Sequence, residues 1–144
     1  MPRLQLALNV DDLDASIAFY STLFGTAPAK TKPGYANFAI AEPPLKLVLI
    51  EGGAGEPGTL NHLGVEVVST DEVTAATRRL RDGGLTCATE EHVSCCYAVQ
   101  DKVWVTGPGH ERWEVYTVLG DVLPELEGET SGAMACDGQT GCCA

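Results

Sequence analysis

The chain has 144 residues, of which 44% are hydrophobic and 20% are charged, and its formal net charge is −11 at pH 7. A chain of this length can bury one hydrophobic core, whereas so large a negative charge disfavours binding to nucleic acids or acidic membranes. No stretch approaches the roughly 18 apolar residues of a membrane span, and the first residues carry no signal peptide, so we expect a cytoplasmic protein. A small molecule or a metal ion is the expected partner.

The first half of the chain predicts one strand, one helix and three further strands. Residues 4–10 are apolar enough for a strand that is covered on both faces. Asp11 or Asp12 can cap the following helix, which ends at Gly25. The apolar face of this helix has the three-to-four spacing expected of a helix and consists of Leu13, Ile17, Tyr20 and Phe24. The remaining extended segments are two pieces within residues 30–40, separated by a turn at Lys32-Pro33-Gly34, and residues 45–50.

The same order of elements returns after a glycine-rich linker at residues 52–58. Residues 61–67 repeat the first strand, and Ser69-Thr70-Asp71-Glu72 is a capping box for a helix that ends at Asp82-Gly83-Gly84. Three extended pieces follow, around residues 86–89, 97–105 and 112–118, with a turn at Gly107-Pro108-Gly109 before the last of them. The sequence therefore predicts an α+β fold made of two tandem βαβββ modules, residues 1–51 and 60–119.

Residues 120–144 differ from the rest of the chain in composition. They contain five acidic residues and no lysine or arginine: Asp121, Glu125, Glu127, Glu129 and Asp137. They show no apolar periodicity, yet they hold three of the six cysteines, Cys136, Cys142 and Cys143. We expect a solvated, largely disordered tail after a domain at residues 1–119.

An adjacent pair of cysteines, Cys95 and Cys96, interrupts an otherwise alternating, strand-like segment that continues to residue 105. Neighbouring residues of a strand point to opposite faces, so packing accounts poorly for the pair. A bend in the backbone would present both sulfurs to one thiophilic atom. A strand end with one buried and one idle thiol, or a pair that oxidises, stays open as an alternative. Cysteines in a cytosolic chain are more often reactive or metal-binding than part of a disulfide framework.

The duplicated unit and its ending at residues 107–115 resemble the vicinal oxygen chelate superfamily, which includes glyoxalase I, extradiol dioxygenases and fosfomycin-resistance proteins. The resemblance covers about residues 3–119 and implies a metal ion in a cup of curved sheet. Carried over by position, it implies the metal ligands Gln5, His62 and Glu114, while Leu47 stands in the fourth place and cannot ligate. Three protein ligands would leave positions open for substrate and dioxygen.

Each of these ligands also has a plainer interpretation. His62 could be a hydrogen-bonded core histidine, and Gln5 alone carries no signal, whereas a buried carboxylate such as Glu114 needs a partner. As a set at repeat-related positions, the three residues favour a metal site. Because Gln5 offers only a neutral oxygen in place of a second histidine, we expect the metal to be lost readily on purification. Glu51 is a possible fourth ligand, but its place at the edge of the glycine-rich linker favours a solvated side chain. His92 and His110 lie in predicted turns and are expected at the surface.

Within that superfamily, the sequence is similar to the organoarsenical carbon–arsenic lyases and the related cadmium-induced proteins. The similarity lies in the three predicted ligands, in residues 33–47 and 95–105, and in the cysteine-containing tail. It implies an enzyme that uses Fe(II) and dioxygen to cleave trivalent methyl and aryl arsenicals to arsenite. Another divalent metal could occupy the purified protein.

The same resemblance implies that Cys95 and Cys96 bind arsenic, which in a trivalent methylarsenical has two exchangeable positions. The adjacency of Cys142 and Cys143 indicates a second dithiol that could capture substrate. An alternative is a protein that sequesters arsenic or cadmium through thiolates without catalysis. A glyoxalase-type isomerase is disfavoured by Leu47. The sequence singles out no general acid or base and no oligomeric state.

Overall fold

The computed structural model describes residues 2–95 and 98–121, which form two βαβββ modules. The first module consists of β1 (Arg3–Val10), α1 (Leu13–Phe24), β2 (Lys30–Lys32), β3 (Tyr35–Ile40) and β4 (Leu45–Glu51). The second consists of β5 (Leu60–Glu66), α2 (Thr70–Asp82), β6 (Cys87–Cys95), β7 (Ala98–Thr106) and β8 (Arg112–Asp121). The predicted α+β fold is confirmed.

Both helices begin and end close to the residues that the sequence predicts. The Asp12 carboxylate accepts a hydrogen bond from the Ala15 amide at 3.0 Å, and Gly25 ends the helix in the left-handed conformation, with φ 64°. At the second helix the Ser69 hydroxyl accepts from the Glu72 amide at 3.3 Å. These local signals therefore fix where each helix begins and ends.

The strands form one mixed sheet in the order β2-β3-β4-β1-β5-β8-β7-β6. Within each module the first and last strands are parallel, β1 with β4 and β5 with β8. The antiparallel pair of β1 and β5 joins the modules, with Gln5 opposite Gly64 and Ala7 opposite His62. The modules start at Arg3 and Leu60 and their helices at Leu13 and Thr70. Both offsets equal the 57 positions between Gln5 and His62, so these two residues are counterparts in the repeat, as the sequence predicts.

The two faces of the sheet differ in character. One face carries the helices, and α1 packs there on an apolar cluster that includes Leu13, Phe38 and Leu47. The sheet curls enough for the Lys30 ammonium of β2 to pair with the Asp121 carboxylate of β8 across four intervening strands. Side chains on the face without helices are buried although no helix covers them, so this face is the inner, concave one. Strand alternation assigns to the concave face a set of buried polar residues: Gln5, Asn9, Lys46, His62, Lys102 and Glu114.

The structure departs from the prediction at two places. His92 is exposed as expected, but it lies within β6 and not in a turn. The register of β6 shifts between Glu90 and Val93, and this bulge gives His92 a φ of 51°. The last strand also continues to Asp121, two residues into the segment expected to be tail. The remainder of that segment, residues 122–144, lies outside the described residues.

Within the described part of the chain, neither helix has the length and apolar character needed to cross a membrane.

Candidate metal centre

Three polar side chains meet on the concave face at the middle of the sheet. The register places Gln5 of β1 opposite Gly64 of β5, and Gly64 opposite Glu114 of β8. His62 precedes Gly64 by two residues, so its side chain emerges on the same face. The fold therefore brings together the three residues that the sequence proposes as metal ligands.

The polar atoms of these side chains form a compact triangle. The Gln5 Nε2 atom lies 2.8 Å from Glu114 Oε1 and 3.2 Å from His62 Nε2, and the third edge, from His62 Nε2 to Glu114 Oε1, measures 3.4 Å. All three side chains are buried. Neighbouring ligands held about 2.1 Å from a six-coordinate ion lie about 3 Å apart, so the triangle has the dimensions of one face of such an ion's coordination shell.

The ring of His62 is oriented by a chain of side-chain amides. His62 Nδ1 lies 2.7 Å from Asn61 Oδ1, and the Asn61 amide in turn donates to Asn9 Oδ1 at 3.0 Å. Because the Asn61 Oδ1 atom can only accept, Nδ1 donates to it, and Nε2 is left to face the triangle. A ligating histidine is commonly fixed in this way by a partner on its other nitrogen.

Glu114 is held as a carboxylate by a buried lysine. Lys102 Nζ donates to Glu114 Oε2 at 2.9 Å, and both side chains are almost fully buried. Burial would raise the pKa of Glu114, but the hydrogen bond with His62 and the positive charge of Lys102 lower it to about 2. Because Lys102 takes Oε2, the other carboxylate oxygen, Oε1, is the one that faces Gln5 and His62.

Gly64 makes the close approach of Gln5 and Glu114 feasible. A Cβ atom at this position would lie 3.1 Å from Gln5 Nε2 and 3.1 Å from Glu114 Cγ, which is tighter than side chains normally tolerate. Among the described residues there is no cluster of three or more His, Cys, Asp or Glu side chains placed to hold a metal ion. The triangle contains two such residues, and the Gln5 amide supplies the third corner.

Tyr116 lies behind this third corner. Its hydroxyl donates to Gln5 Oε1 and lies 3.1 Å from Glu66 Oε2. Burial and the negative charges of Glu66 and Glu114 raise the pKa of Tyr116 far above its ordinary value, so the phenol keeps its proton. With the amide oxygen facing Tyr116, Gln5 presents its nitrogen to the triangle. A half-turn of the amide would put the oxygen there, so the three residues fit a divalent cation by chemistry and by spacing.

The register corrects the assignment of the fourth position to Leu47. Ala7 pairs with Val48 as Gly64 pairs with Glu114, so Val48 is the counterpart of Glu114 in the first module. Leu47 lies one residue earlier, on the opposite face, and packs in the core beneath α1. Valine is also unable to ligate, and the expectation of three protein ligands is unaffected.

Lys102 and Tyr116 belong to the site but were not predicted from the sequence. The available signal for Lys102 was its place in a strand just before the apolar residues Val103 and Trp104. A lysine buried in such a strand needs a partner of opposite charge. Tyr116 follows Glu114 by two residues on the same strand and so had to share its face. Glu51 lies outside the triangle, where its carboxylate accepts from the Leu13 amide at 2.7 Å and caps α1.

Of the two cysteines that the resemblance assigns to arsenic, Cys95 lies at the end of β6. Cys95 is the last residue of β6 and pairs with Ala98, which in turn pairs with Asp121. The side chain of Cys95 and the whole of Cys96, Cys136, Cys142 and Cys143 fall outside the described residues. The ion pair of Asp121 with Lys30 links this end of β7 and β8 to β2 of the first module. Cys87 lies at the other end of β6, opposite Val105.

The sequence profile of the Glyoxalase/Bleomycin resistance protein/Dioxygenase superfamily matches residues 4–115. The fold is shared with solved members, among them the Mn(II)-bound glyoxalase of Novosphingobium aromaticivorans, with a TM-score of 0.60 at 19% identity over 89% of this chain and 45% of that one.

Two relatives are much more similar in sequence. The trivalent organoarsenical cleaving enzyme of Thermomonospora curvata is 66% identical over 121 residues, which cover 84% of this chain and 80% of the relative. The cadmium-induced protein CadI of Mycobacterium tuberculosis is 60% identical over 146 aligned positions, covering 96% and 95%. The chain thus belongs to the Glyoxalase/Bleomycin resistance protein/Dioxygenase superfamily and, within it, to the family of these two proteins.

Proposed function

We propose that this enzyme cleaves the carbon–arsenic bond of trivalent organoarsenicals and releases arsenite, with Fe(II) at Gln5, His62 and Glu114 and with dioxygen as co-substrate. The observation that carries the proposal is the buried triangle of these three side chains in a chain that is 66% identical to a trivalent organoarsenical cleaving enzyme. Methylarsenite and trivalent aromatic arsenicals are the proposed substrates.

The triangle would hold the ion from one side only. Bound there, Fe(II) would supply the activation of dioxygen, which no protein side chain can perform. Lys102 keeps Glu114 ionised through its hydrogen bond to Oε2, and Asn61 keeps the His62 ring turned toward the site. These contacts prepare the ligands before any ion arrives, because Glu114 is already ionised and the His62 ring is already oriented.

The dithiol would hold the substrate. Arsenic in a trivalent methylarsenical has one carbon substituent and two positions that exchange with thiols, and Cys95 and Cys96 could fill both. Chelation would then leave the carbon as the only remaining substituent and fix its direction, a positioning effect that can lower a barrier by several kcal/mol. Cys95 ends β6, the edge strand of the sheet, opposite Ala98, and this open position supports a role in substrate binding.

Sequestration by thiolates alone is the competing function, and it needs none of the three ligands. The test is anaerobic reconstitution with Fe(II), followed by an assay of arsenite release from methylarsenite with and without oxygen. We expect oxygen-dependent release by the wild type, and loss of both bound iron and release in His62→Ala and Glu114→Ala. His110→Asn, at an exposed turn, is the matched control and should behave as the wild type.

Iron content that stays at the wild-type level in both ligand variants would contradict the proposed site. Tight binding of methylarsenite by the reconstituted wild type, without any release of arsenite in oxygen, would instead support sequestration.

A further inference from the structure

The amide of Gln5 has two possible orientations, and they differ in what they can bind. In the structure, its nitrogen points to Glu114 Oε1 and His62 Nε2, and its oxygen accepts the hydrogen bond from Tyr116. An amide nitrogen has no lone pair to offer a cation, so this orientation suits the site without an ion. Binding of a cation by Gln5 requires the amide to turn so that the oxygen joins the triangle.

The surroundings of Tyr116 can satisfy both orientations. Its hydroxyl lies within hydrogen-bonding distance of two acceptors, Gln5 Oε1 and, at 3.1 Å, Glu66 Oε2. When the amide oxygen faces Tyr116, the hydroxyl hydrogen points to Gln5. When the amide nitrogen faces Tyr116, the hydroxyl hydrogen can rotate to Glu66 and leave the phenol oxygen to accept from the amide. A hydroxyl is suited to this exchange because it is both donor and acceptor.

Glu66 is fixed in the position that this exchange needs. Arg3 donates to it through two nitrogens, at 3.1 and 3.3 Å, and Lys46 Nζ lies 3.6 Å from the same oxygen that faces Tyr116. The carboxylate is therefore neutralised and held outside the triangle, where it is available to Tyr116 as an acceptor.

We propose that Tyr116 and Glu66 are positioning residues for the metal site, which set the orientation of the Gln5 amide and let its oxygen turn toward a bound cation. The proposal rests on the proposed site at Gln5, His62 and Glu114, and it concerns how that site changes between its empty and loaded forms. It predicts that a residue without direct contact with the ion controls how tightly the ion binds.

The test is titration of the metal-free full-length protein with Mn(II), followed by calorimetry. Tyr116→Phe keeps the ring and removes the hydroxyl. The metal-free form then loses one hydrogen bond, from the hydroxyl to Gln5 Oε1, whereas the loaded form loses two, from the amide nitrogen to the phenol oxygen and from the hydroxyl to Glu66. We expect affinity for Mn(II) to fall by about 10- to 100-fold, the range found when partners of metal ligands are removed. Tyr20→Phe is the control, because this partly buried tyrosine lies on α1, on the opposite side of the sheet from the triangle. It should leave the affinity nearly unchanged.

Gln5→Glu distinguishes orientation from a general structural effect. A carboxylate has an oxygen at each end, so it needs no turn and no acceptor behind it. In the Gln5→Glu background, Tyr116→Phe should therefore change the affinity for Mn(II) very little. An equal loss of affinity in both backgrounds would overturn the proposal.

Glu66→Met tests the second residue of the pair. It removes the alternative acceptor of the Tyr116 hydroxyl, and we expect weaker binding in the wild-type background but little further loss in Tyr116→Phe. Losses that add in full would show that Glu66 acts through its charge and not through Tyr116. Mn(II) binding that is unaffected by His62→Ala would contradict the proposed metal site itself. Normal dependence on His62 with no effect of Tyr116→Phe would refute only the positioning role.

Discussion

Gln5 and Glu114 meet above Gly64, with the amide nitrogen of the first 2.8 Å from the carboxylate of the second, although 109 positions separate them in the chain. Their contact depends on two strand pairings, β1 with β5 and β5 with β8, whose registers place Gly64 between them. The two side chains occupy the space that a side chain at position 64 would otherwise fill. The geometry of the candidate site thus depends on the pairing of β1 with β5, which joins the two modules, as well as on the residues that form the site.

Gly64→Ala should weaken metal binding while the fold is retained. The added methyl group would lie 3.1 Å from Gln5 Nε2 and from Glu114 Cγ, so both ligands must shift. We expect a loss of affinity for Mn(II) of about 10- to 100-fold, comparable with the loss of a ligand's supporting partner. Calorimetric titration measures it. Gly120→Ala is the control, because no atom of the described residues lies within 4 Å of a Cβ atom there, and equal affinities of the two variants would contradict the expectation.

Lys102→Met should destabilise the metal-free protein more than the loaded one. Removing one partner of a buried ion pair costs about 3–5 kcal/mol, because the remaining charge stays buried without compensation. A divalent cation beside Glu114 would replace the missing positive charge, so Mn(II) should raise the unfolding midpoint of the variant more than that of the wild type. Urea unfolding with and without Mn(II) measures this difference. Lys32→Met, at an exposed position of β2, also removes one positive charge. Its unfolding midpoint should rise with Mn(II) by the same amount as that of the wild type.

The low pKa of Glu114 predicts a pH dependence of stability in the metal-free protein. Its pKa is about 2 in the folded chain, compared with an ordinary value of 4.5. A carboxyl group with a lowered pKa stabilises the folded state above its ordinary pKa and loses this contribution as the pH falls toward the folded value. We therefore expect the difference in unfolding free energy between wild type and Glu114→Gln to be largest above pH 4.5 and to shrink toward pH 2. A difference that is constant over this window would show that Glu114 is not held ionised.

The sequence predicts the order of elements because its local signals are strong. Caps at Asp12 and Ser69, the glycine at the end of each helix and the repeat of the first strand are all found in the structure. The pairing register is not local, and this explains the error at Leu47. Residues 45–50 are buried on both faces, so they show no alternation that could tell Leu47 from Val48.

The supporting residues of the site could not be assigned from sequence for a related reason. Lys102 and Tyr116 acquire their roles from Glu114 and Gln5, and the partners come from different strands. Their positions become meaningful only when the registers of β1, β5, β7 and β8 are known. The bulge of β6 between Glu90 and Val93, which contains His92, likewise has no clear signal in the sequence.

Cys95→Ser and Cys96→Ser should each weaken the binding of trivalent methylarsenical strongly. A single thiolate lacks the effective-concentration advantage that a second thiolate on the neighbouring residue provides. Pentavalent arsenicals should not be substrates, because they lack the two positions that thiols exchange. Cys87→Ser, at the far end of β6, is the control and should bind as the wild type. Full affinity in Cys95→Ser would contradict the dithiol assignment, and weakened binding in Cys87→Ser would point to that thiol.

The tail should act in substrate capture and not in the chemistry. Its composition predicts a flexible segment, and about 20 such residues have a root-mean-square reach of roughly 25 Å, similar to the size of the domain. Cys142 and Cys143 would then visit the cup at an effective concentration on the order of millimolar. They could bind scarce arsenical and pass it to Cys95 and Cys96 by thiol exchange. The structure places the cut after Asp121, since this residue ends β8 and pairs with Lys30.

We expect truncation after Asp121 to leave the maximal rate nearly unchanged and to raise the methylarsenite concentration that gives half of it. The reason is that capture limits the rate only when substrate is scarce, whereas at saturation Cys95 and Cys96 are filled directly. Steady-state kinetics at low methylarsenite measures this. The full-length double variant Cys142→Ser/Cys143→Ser separates the thiols from the chain that carries them, and it should show the same increase. An unchanged half-saturation concentration in both proteins would leave the tail without a role in capture, and an increase in the truncated chain alone would assign the effect to the segment and not to its thiols.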